Sequence, residues 1–264
     1  MEAMSTSDAS YSNFRELDVR RRRPALLQIE FQRRWNLRTI YELMRVMDTA
    51  NADTTVQVVV LSGELSVGPH DPLLLEQGKV KRHRQLPMTK ETLAVSGDDA
   101  EDRYIHEKSA NFVMRSLAKK MLAQRKLLVA LVQGRCVGLG LSVCSLCDLV
   151  YATEAAVFLP ALSHLDPCAQ AGPFWTLPHI RWLLHLGEQA DARTALHCGL
   201  VASVVSESQE FWDRMDQYSR LPPSALMATK RLLLRHWRQS MLTELRQEGT
   251  PMAAQGRRLA RSKL

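Results

Sequence analysis

Residues 127–153, LLVALVQGRCVGLGLSVCSLCDLVYAT, decide the fold of this chain. They begin with an apolar run of strand length over residues 127–132, which a Gln-Gly turn follows. Gly138-Leu139-Gly140 then stands where a helix would begin, so its backbone N–H groups have no partner in a preceding turn. Such groups suit a negative charge that develops during a reaction. A glycine turn of this kind also occurs in α/β proteins at large, so the local pattern leaves a purely structural role equally open.

The flanking segments continue the alternation of strand and helix. Residues 24–31 and 56–61 are apolar runs of strand length, and residues 37–50 between them carry apolar side chains at helical spacing. Asn36 can cap that helix. Strand, helix and strand in this order predict an α/β fold with parallel pairing.

Residues 133–158, QGRCVGLGLSVCSLCDLVYATEAAVF, resemble the NGxAxGxGxxxxxxCDxxxAxxxAxF core of the crotonase (enoyl-CoA hydratase/isomerase) superfamily. Later segments are similar to the peroxisomal branch of 3-enoyl-CoA to 2-enoyl-CoA isomerases, and they are residues 163–165, 177–180, 198–201 and 221–230. The resemblance runs from about residue 24 to residue 237. It implies a crotonase-like ββα spiral core, followed by C-terminal helices for trimerisation.

The chain is therefore expected to divide into four segments. They are a disordered leader over residues 1–23, the spiral core over 24–205, a helical oligomerisation region over 206–256 and a basic tail over 257–264. Inside the core, residues 72–108 are polar and irregular. In the family this region is a variable lid over the acyl chain.

Composition narrows the class of protein. A length of 264 residues with 45% hydrophobic residues fits one sizeable globular domain. No apolar run approaches the roughly 20 residues of a membrane span, and the start of the chain lacks a secretory signal. The five cysteines are an odd number without regular spacing, which argues against a disulfide framework. We expect a soluble intracellular protein.

The net charge of +7 lies largely in two basic runs. One covers residues 20–23, and the other consists of Arg257, Arg258, Arg261 and Lys263. Neither run alternates with aromatic residues as a nucleic-acid platform would, so we expect solvated tails and no nucleic-acid partner. A basic protein also suits CoA, whose phosphates are negatively charged.

The chain ends in Ser262-Lys263-Leu264, the tripeptide of a peroxisomal address. The sequence therefore predicts import by the peroxisomal receptor and residence in the peroxisomal matrix.

The resemblance implies an oxyanion hole with two N–H donors. Leu139 supplies the first, beside Gly138. The family's F-S-x-G-x-D loop corresponds to residues 65–71, with Gly68 and Asp71 at the substrate, but Pro69 after the glycine has no N–H. Either the loop bulges so that His70 donates instead, or half of the hole is missing. A Gly-Pro turn with a solvated His70 is the structural alternative.

The catalytic carboxylate of the family is not found at its counted position. The Glu of the isomerases corresponds to Gln170, whose neutral amide cannot shuttle a proton. The two Glu residues of hydratases correspond to Ser142 and Leu162. Asp166 is the nearest carboxylate in sequence and a possible substitute acid.

The resemblance also implies contacts with the substrate outside the hole. Leu162 and Leu165 belong to the acyl-binding segment, and Lys230 on a C-terminal helix is a candidate for lying beside CoA. A solvated helix face is the alternative for Lys230. No cofactor is expected beyond the CoA of the substrate. Cys144 and Cys147 form a C-x-x-C, but no second pair follows at zinc spacing, so we interpret them as core residues rather than metal ligands.

Three functions remain open on these residues. The first is a peroxisomal enoyl-CoA isomerase-like enzyme of unsaturated fatty-acid β-oxidation, with weak activity. The second is a catalytically inactive, acyl-CoA-binding homotrimer on the same fold. The third, more distant, is a thioesterase using Cys168 or Ser163.

Overall fold

The structure is a computed structural model that describes residues 11–12, 14–32, 35–66, 112–113, 115–159, 188–206 and 208–247. The strands in these ranges are β1 (Leu17–Arg23), β2 (Leu26–Phe31), β3 (Val58–Ser66), β4 (Leu127–Val137), β5 (Leu149–Thr153), β6 (Val157–Leu159), β7 (Ala190–Asp191) and β8 (Ser203–Val205). The helices are α1 (Leu37–Ala52), α2 (115–122), α3 (Leu139–Ser145), α4 (Ala192–His197), α5 (Ser208–Ser219) and α6 (Pro223–Gln247). None of these described helices has the length and apolar character to span a bilayer.

The described strands form one sheet in the order β1-β2-β3-β4-β5-β8, and β6 pairs with both β4 and β7. The pairs from β2 to β8 along this order are parallel, as the sequence predicts. Helix α1 makes the crossover between β2 and β3. Asn36 begins it with a capping box, in which the Asn36 side chain accepts from the Thr39 N–H and the Thr39 hydroxyl accepts from the Asn36 N–H. The predicted cap is confirmed.

The sheet is covered on both faces, which explains why its central strands are apolar without alternation. One face packs on the core that contains α1, α2 and α3. The other face, formed by alternate residues such as Val60, Val129 and Leu131, packs on Phe211 and Met215 of α5. The central strands are therefore buried on both faces.

The presence of strand β1 corrects the prediction that the chain is disordered as far as residue 23. Residues 17–23 instead pair antiparallel with β2. The basic run within them is not a solvated tail. Arg21 donates to Asp53 at 2.5 Å, and the Arg22 guanidinium lies 3.8 Å from the centre of the Trp212 ring. The consecutive charges obscure the alternation of Leu17 and Val19, and Asp53 and Trp212 are remote from this strand in sequence.

Candidate functional site

The turn at Gly138 begins the candidate site. Gly138 has φ 57° and ψ −109°, a conformation that favours glycine, and its N–H donates to the Leu159 carbonyl at 3.0 Å. Helix α3 begins at the next residue, Leu139, and all of its side chains are buried. Gly138 has no side chain to cap the helix, and a helix supplies no acceptor to the N–H groups of its own first turn. The predicted helix start is confirmed, while the role of Leu139 as an oxyanion donor stays a prediction.

The end of β3 lies directly beside this helix start. Ser66, the last residue of β3, is in register with Val137 of β4. A side chain at Gly140 would place its Cβ 1.8 Å from the Leu65 carbonyl oxygen, far inside van der Waals contact. Only glycine therefore lets α3 approach β3 this closely. The predicted donor loop follows Ser66 in sequence, but Gly68, His70 and Asp71 lie outside the described residues.

Among the residues predicted for the catalytic carboxylate, the structure describes Ser142. Ser142, at a position where hydratases have Glu, is buried within α3, so this position offers a hydroxyl and no carboxylate. Nine further residues that the sequence analysis named lie outside the part of the chain that the structure describes. They are Leu162, Ser163, Leu165, Asp166, Cys168, Gln170, Ser262, Lys263 and Leu264.

The structure contradicts a solvated position for Lys230, while its place beside CoA stays a prediction. Its side chain is only 7% exposed, and its ammonium donates to Asp148 at 2.7 Å and to the Lys126 carbonyl at 2.8 Å. The same Asp148 oxygen accepts from the Leu128 N–H at 2.7 Å. Lys230 therefore attaches α6 to the sheet. Its partners lie far away in sequence, so no local pattern indicates this role.

The thiols near α3 are packing groups. The Sγ atoms of Cys136 and Cys144 lie 3.7 Å apart in the core. The hydrogen bond with Cys136, together with burial, raises the pKa of the Cys144 thiol, and burial raises the pKa of the partly buried Cys147. Raised pKa values keep both thiols protonated and unreactive near neutral pH. No group of three possible metal ligands occurs among the residues that the structure describes.

Trp35 is a site-bordering residue that the sequence did not reveal. Its backbone N–H donates to the Ser66 carbonyl at 2.8 Å, and its indole Nε1–H donates to the Glu64 carbonyl at 3.1 Å. The side chain is 1% exposed. The only sequence clue was a single aromatic residue in the polar stretch before α1.

The sequence of the chain is similar to those of known proteins. The family profile "Enoyl-CoA hydratase/isomerase" matches residues 93–259. Among curated proteins, the chain is 31% identical over 160 residues to enoyl-CoA delta isomerase 2 of Rattus norvegicus, covering 56% of this chain and 41% of that protein. It is 31% identical over 140 residues to the peroxisomal enoyl-CoA delta isomerase 3 of Mus musculus, covering 50% of this chain and 44% of the relative. The chain thus spans less than half the length of these relatives.

Solved structures support the fold. An enoyl-CoA hydratase/isomerase from Mycobacterium paratuberculosis superposes with a TM-score of 0.74 at 22% identity, covering 92% of this chain and 95% of that one. An enoyl-CoA hydratase from Bacillus halodurans gives a TM-score of 0.72 at 19% identity, with the same coverage of 92% and 95%. The predicted crotonase-like architecture is confirmed.

Proposed function

Because the chain belongs to the enoyl-CoA hydratase/isomerase family, we propose that it binds acyl-CoA thioesters at the start of α3 and slowly converts 3-enoyl-CoA to 2-enoyl-CoA. The observation that supports this best is the start of α3, where Gly138 turns the backbone and the Leu139 N–H has no acceptor within the helix. The names of the two delta isomerases favour this reaction over hydration.

The reaction requires an enolate. A base removes a proton from C2, beside the thioester carbonyl, and the negative charge moves onto the carbonyl oxygen. The double bond then shifts as a proton is returned to C4. In this proposal the Leu139 N–H donates to that oxygen, and one such donor in a dry site lowers a barrier by about 3 kcal/mol.

The proposed rate is low because the general base is weak or absent. Ser142 cannot replace a carboxylate at its position, and Gln170 cannot do so at the position of the isomerase Glu. Loss of a general base costs roughly 10²- to 10⁴-fold in rate. Enolate stabilisation without that base supports slow turnover, and Asp166 is the candidate substitute.

The second candidate function is acyl-CoA binding without catalysis. The buried hydroxyl of Ser142 in α3 favours it, because binding requires the helix start but no carboxylate at this position. An assay of the purified protein with a 3-enoyl-CoA separates the two candidates. Turnover above the rate of denatured protein supports the isomerase, and binding without turnover supports the alternative.

Acyl-CoA binding at Leu139 can be tested by calorimetry with a saturated acyl-CoA. Leu139→Pro removes the N–H at the first position of a helix, where proline is tolerated. Leu139→Val is the matched control, because it also shortens the side chain but keeps the N–H. We expect weaker binding in Leu139→Pro than in Leu139→Val, with equal circular dichroism spectra. Equal affinities would place the ligand elsewhere.

A peroxisomal location and a homotrimer complete the proposal. The name of the mouse relative and the tripeptide Ser262-Lys263-Leu264 support the location. Fluorescent fusions with and without the tripeptide test it, and identical distributions would refute it. Leu232 and Leu233 of α6, exposed by 67% and 69%, support self-association of the C-terminal helices, which sedimentation velocity measures.

A further inference from the structure

We infer that Trp35 is a positioning residue for the oxyanion donor at Leu139, because it fixes the end of β3 against the start of α3. The inference rests on the proposed function, and it adds a residue that does not touch the ligand. Every contact on which it depends lies within the described residues.

The first contact is between Trp35 and two carbonyl groups of β3. The register of β3 against β4 shifts between Gly63 and Leu65, and just beyond this irregularity the carbonyls of Glu64 and Ser66 both face Trp35. Trp35 satisfies both, with its indole N–H at 3.1 Å from the Glu64 oxygen and its backbone N–H at 2.8 Å from the Ser66 oxygen. Strand β2 ends at Phe31, opposite Gly63, so Trp35 takes over where the sheet partner stops.

The second contact is between β3 and α3. The Leu65 carbonyl, between the two that Trp35 holds, faces Gly140 at the distance that leaves no room for a Cβ. Gly140 directly follows Leu139 in α3. A shift of Leu65 toward α3 would therefore push the first turn of this helix, and a shift away would leave it unsupported.

Packing limits the motion of Trp35 itself. Its ring stacks on Phe31 with centroids 4.5 Å apart and an interplanar angle of 29°. Because the side chain is buried, loss of the indole hydrogen bond would leave the Glu64 carbonyl without this donor. Backbone placement at β3 is thus coupled to the indole N–H of Trp35. A misplacement of about 1 Å at a reacting group can cost roughly 10²-fold in rate, so small shifts at Leu139 are functionally significant.

The test replaces the indole N–H and little else. Trp35 is substituted by 3-benzothienylalanine, in which sulfur stands for the N–H and the ring shape is kept. Trp35→Phe is a second variant that keeps stacking on Phe31. Trp212→Phe is the matched control, because Trp212 lies under Arg22 and packs on the other face of the sheet.

Two readouts are needed. Hydrogen exchange measures protection of residues 136–142, and infrared spectroscopy measures the carbonyl stretch of a bound acyl-CoA with a ¹³C-labelled thioester. We expect faster exchange in both Trp35 variants and loss of at least half of the frequency shift that the wild type causes. We also expect acyl-CoA affinity to fall by up to about tenfold. Trp212→Phe should match the wild type in exchange, frequency and affinity.

The outcomes distinguish the inference from the function on which it rests. Wild-type exchange in both Trp35 variants overturns the inference, and so does a wild-type carbonyl frequency despite faster exchange. The same changes in Trp212→Phe also overturn it, because they would reflect general destabilisation. Absence of acyl-CoA binding in the wild type overturns the proposed function, and the inference with it.

Discussion

The ammonium of Lys230 lies 2.7 Å from a carboxylate oxygen of Asp148, and both side chains are largely buried. This ion pair joins α6 to the segment before β5. The pair is completed by the Leu128 N–H on Asp148 and the Lys126 carbonyl on Lys230. Removal of one partner would leave the other charge buried without compensation.

We predict that Lys230→Met lowers the free energy of unfolding by about 3 kcal/mol, since a broken buried pair typically costs 3–5 kcal/mol. Urea denaturation measures the change. Arg231→Met is the control on the same helix, because Arg231 is exposed and its hydrogen bond to the Met227 carbonyl stays within that helix; its effect should stay within about 0.5 kcal/mol. If Lys230→Met instead keeps its stability and loses acyl-CoA affinity, Lys230 contacts the ligand after all.

Gly140→Ala should destabilise the protein and weaken acyl-CoA binding. The new Cβ would overlap the Leu65 carbonyl oxygen, and relief requires that β3 and α3 move apart. Overpacking of this kind costs roughly 1–3 kcal/mol or more. Gly134→Ala is the matched control, because no atom of the residues that the structure describes lies within 4 Å of a Cβ there. Thermal unfolding that affects both variants equally would contradict the close approach of α3 to β3.

Because of Asp53, the free energy of unfolding should depend on pH in the acidic range. Burial raises the pKa of Asp53, but hydrogen bonds from Thr55, Arg21 and Tyr11 more than offset it and hold the pKa below its usual value. A lowered folded-state pKa stabilises the protein above the unfolded-state pKa of about 3.9, and the stabilisation is lost as pH falls through the folded-state pKa.

Asp53→Asn should therefore lower the free energy of unfolding by about 2 kcal/mol at pH 7, and the difference from wild type should shrink below about pH 4. Urea denaturation at pH 7 and pH 3 provides the measurement. Asp48→Asn is the control, because Asp48 is 59% exposed and pairs with an exposed Lys120. A pH-independent difference for Asp53→Asn would show that the charge of Asp53 is not responsible.

Gln170→Glu should raise isomerase activity by on the order of 10²-fold, because it restores a carboxylate at the position of the family's Glu. A coupled assay of 2-enoyl-CoA formation measures the rate, and Gln170→Met, which adds no charge, should leave it unchanged. Where Gln170→Glu shows no gain, the double variant with Pro69→Ala restores an N–H to the donor loop as well.

Wild-type turnover at about 10 s⁻¹, typical of enzymes, would contradict the prediction that the catalytic carboxylate is missing because Gln170 stands at its position. Asp166→Asn would then abolish activity, which would make Asp166 the acid.

Local patterns predicted the parts of the fold that depend on neighbouring residues. The Asn36 cap, the parallel strands and the start of α3 each follow from residues within a few positions of one another, so the sequence shows them directly. The parts that it hid depend on distant partners. The sequence predicts a solvated Arg21, whose partner Asp53 lies 32 positions away, and it leaves a solvated Lys230 open, whose partner Asp148 lies 82 positions away.

The candidate site likewise contains one part that was predictable from sequence and one that was not. The helix start at Gly138 was predictable because glycine marks a backbone conformation that other residues rarely adopt. The hydrogen bond of Trp35 was not predictable, because a bond from a side chain to the Glu64 carbonyl leaves no sequence pattern.

Attachment of α6 through Asp148 also constrains the order of events during synthesis. Asp148 precedes its cation by 82 positions, so the carboxylate leaves the ribosome first. At 5–20 residues per second the interval is roughly 4 to 16 s. During that time the sheet can form around β4, but the carboxylate has no ammonium to pair with and must stay hydrated. A nascent chain that stalls before Lys230 would thus present the Asp148 carboxylate, at the amino end of β5, without its cation.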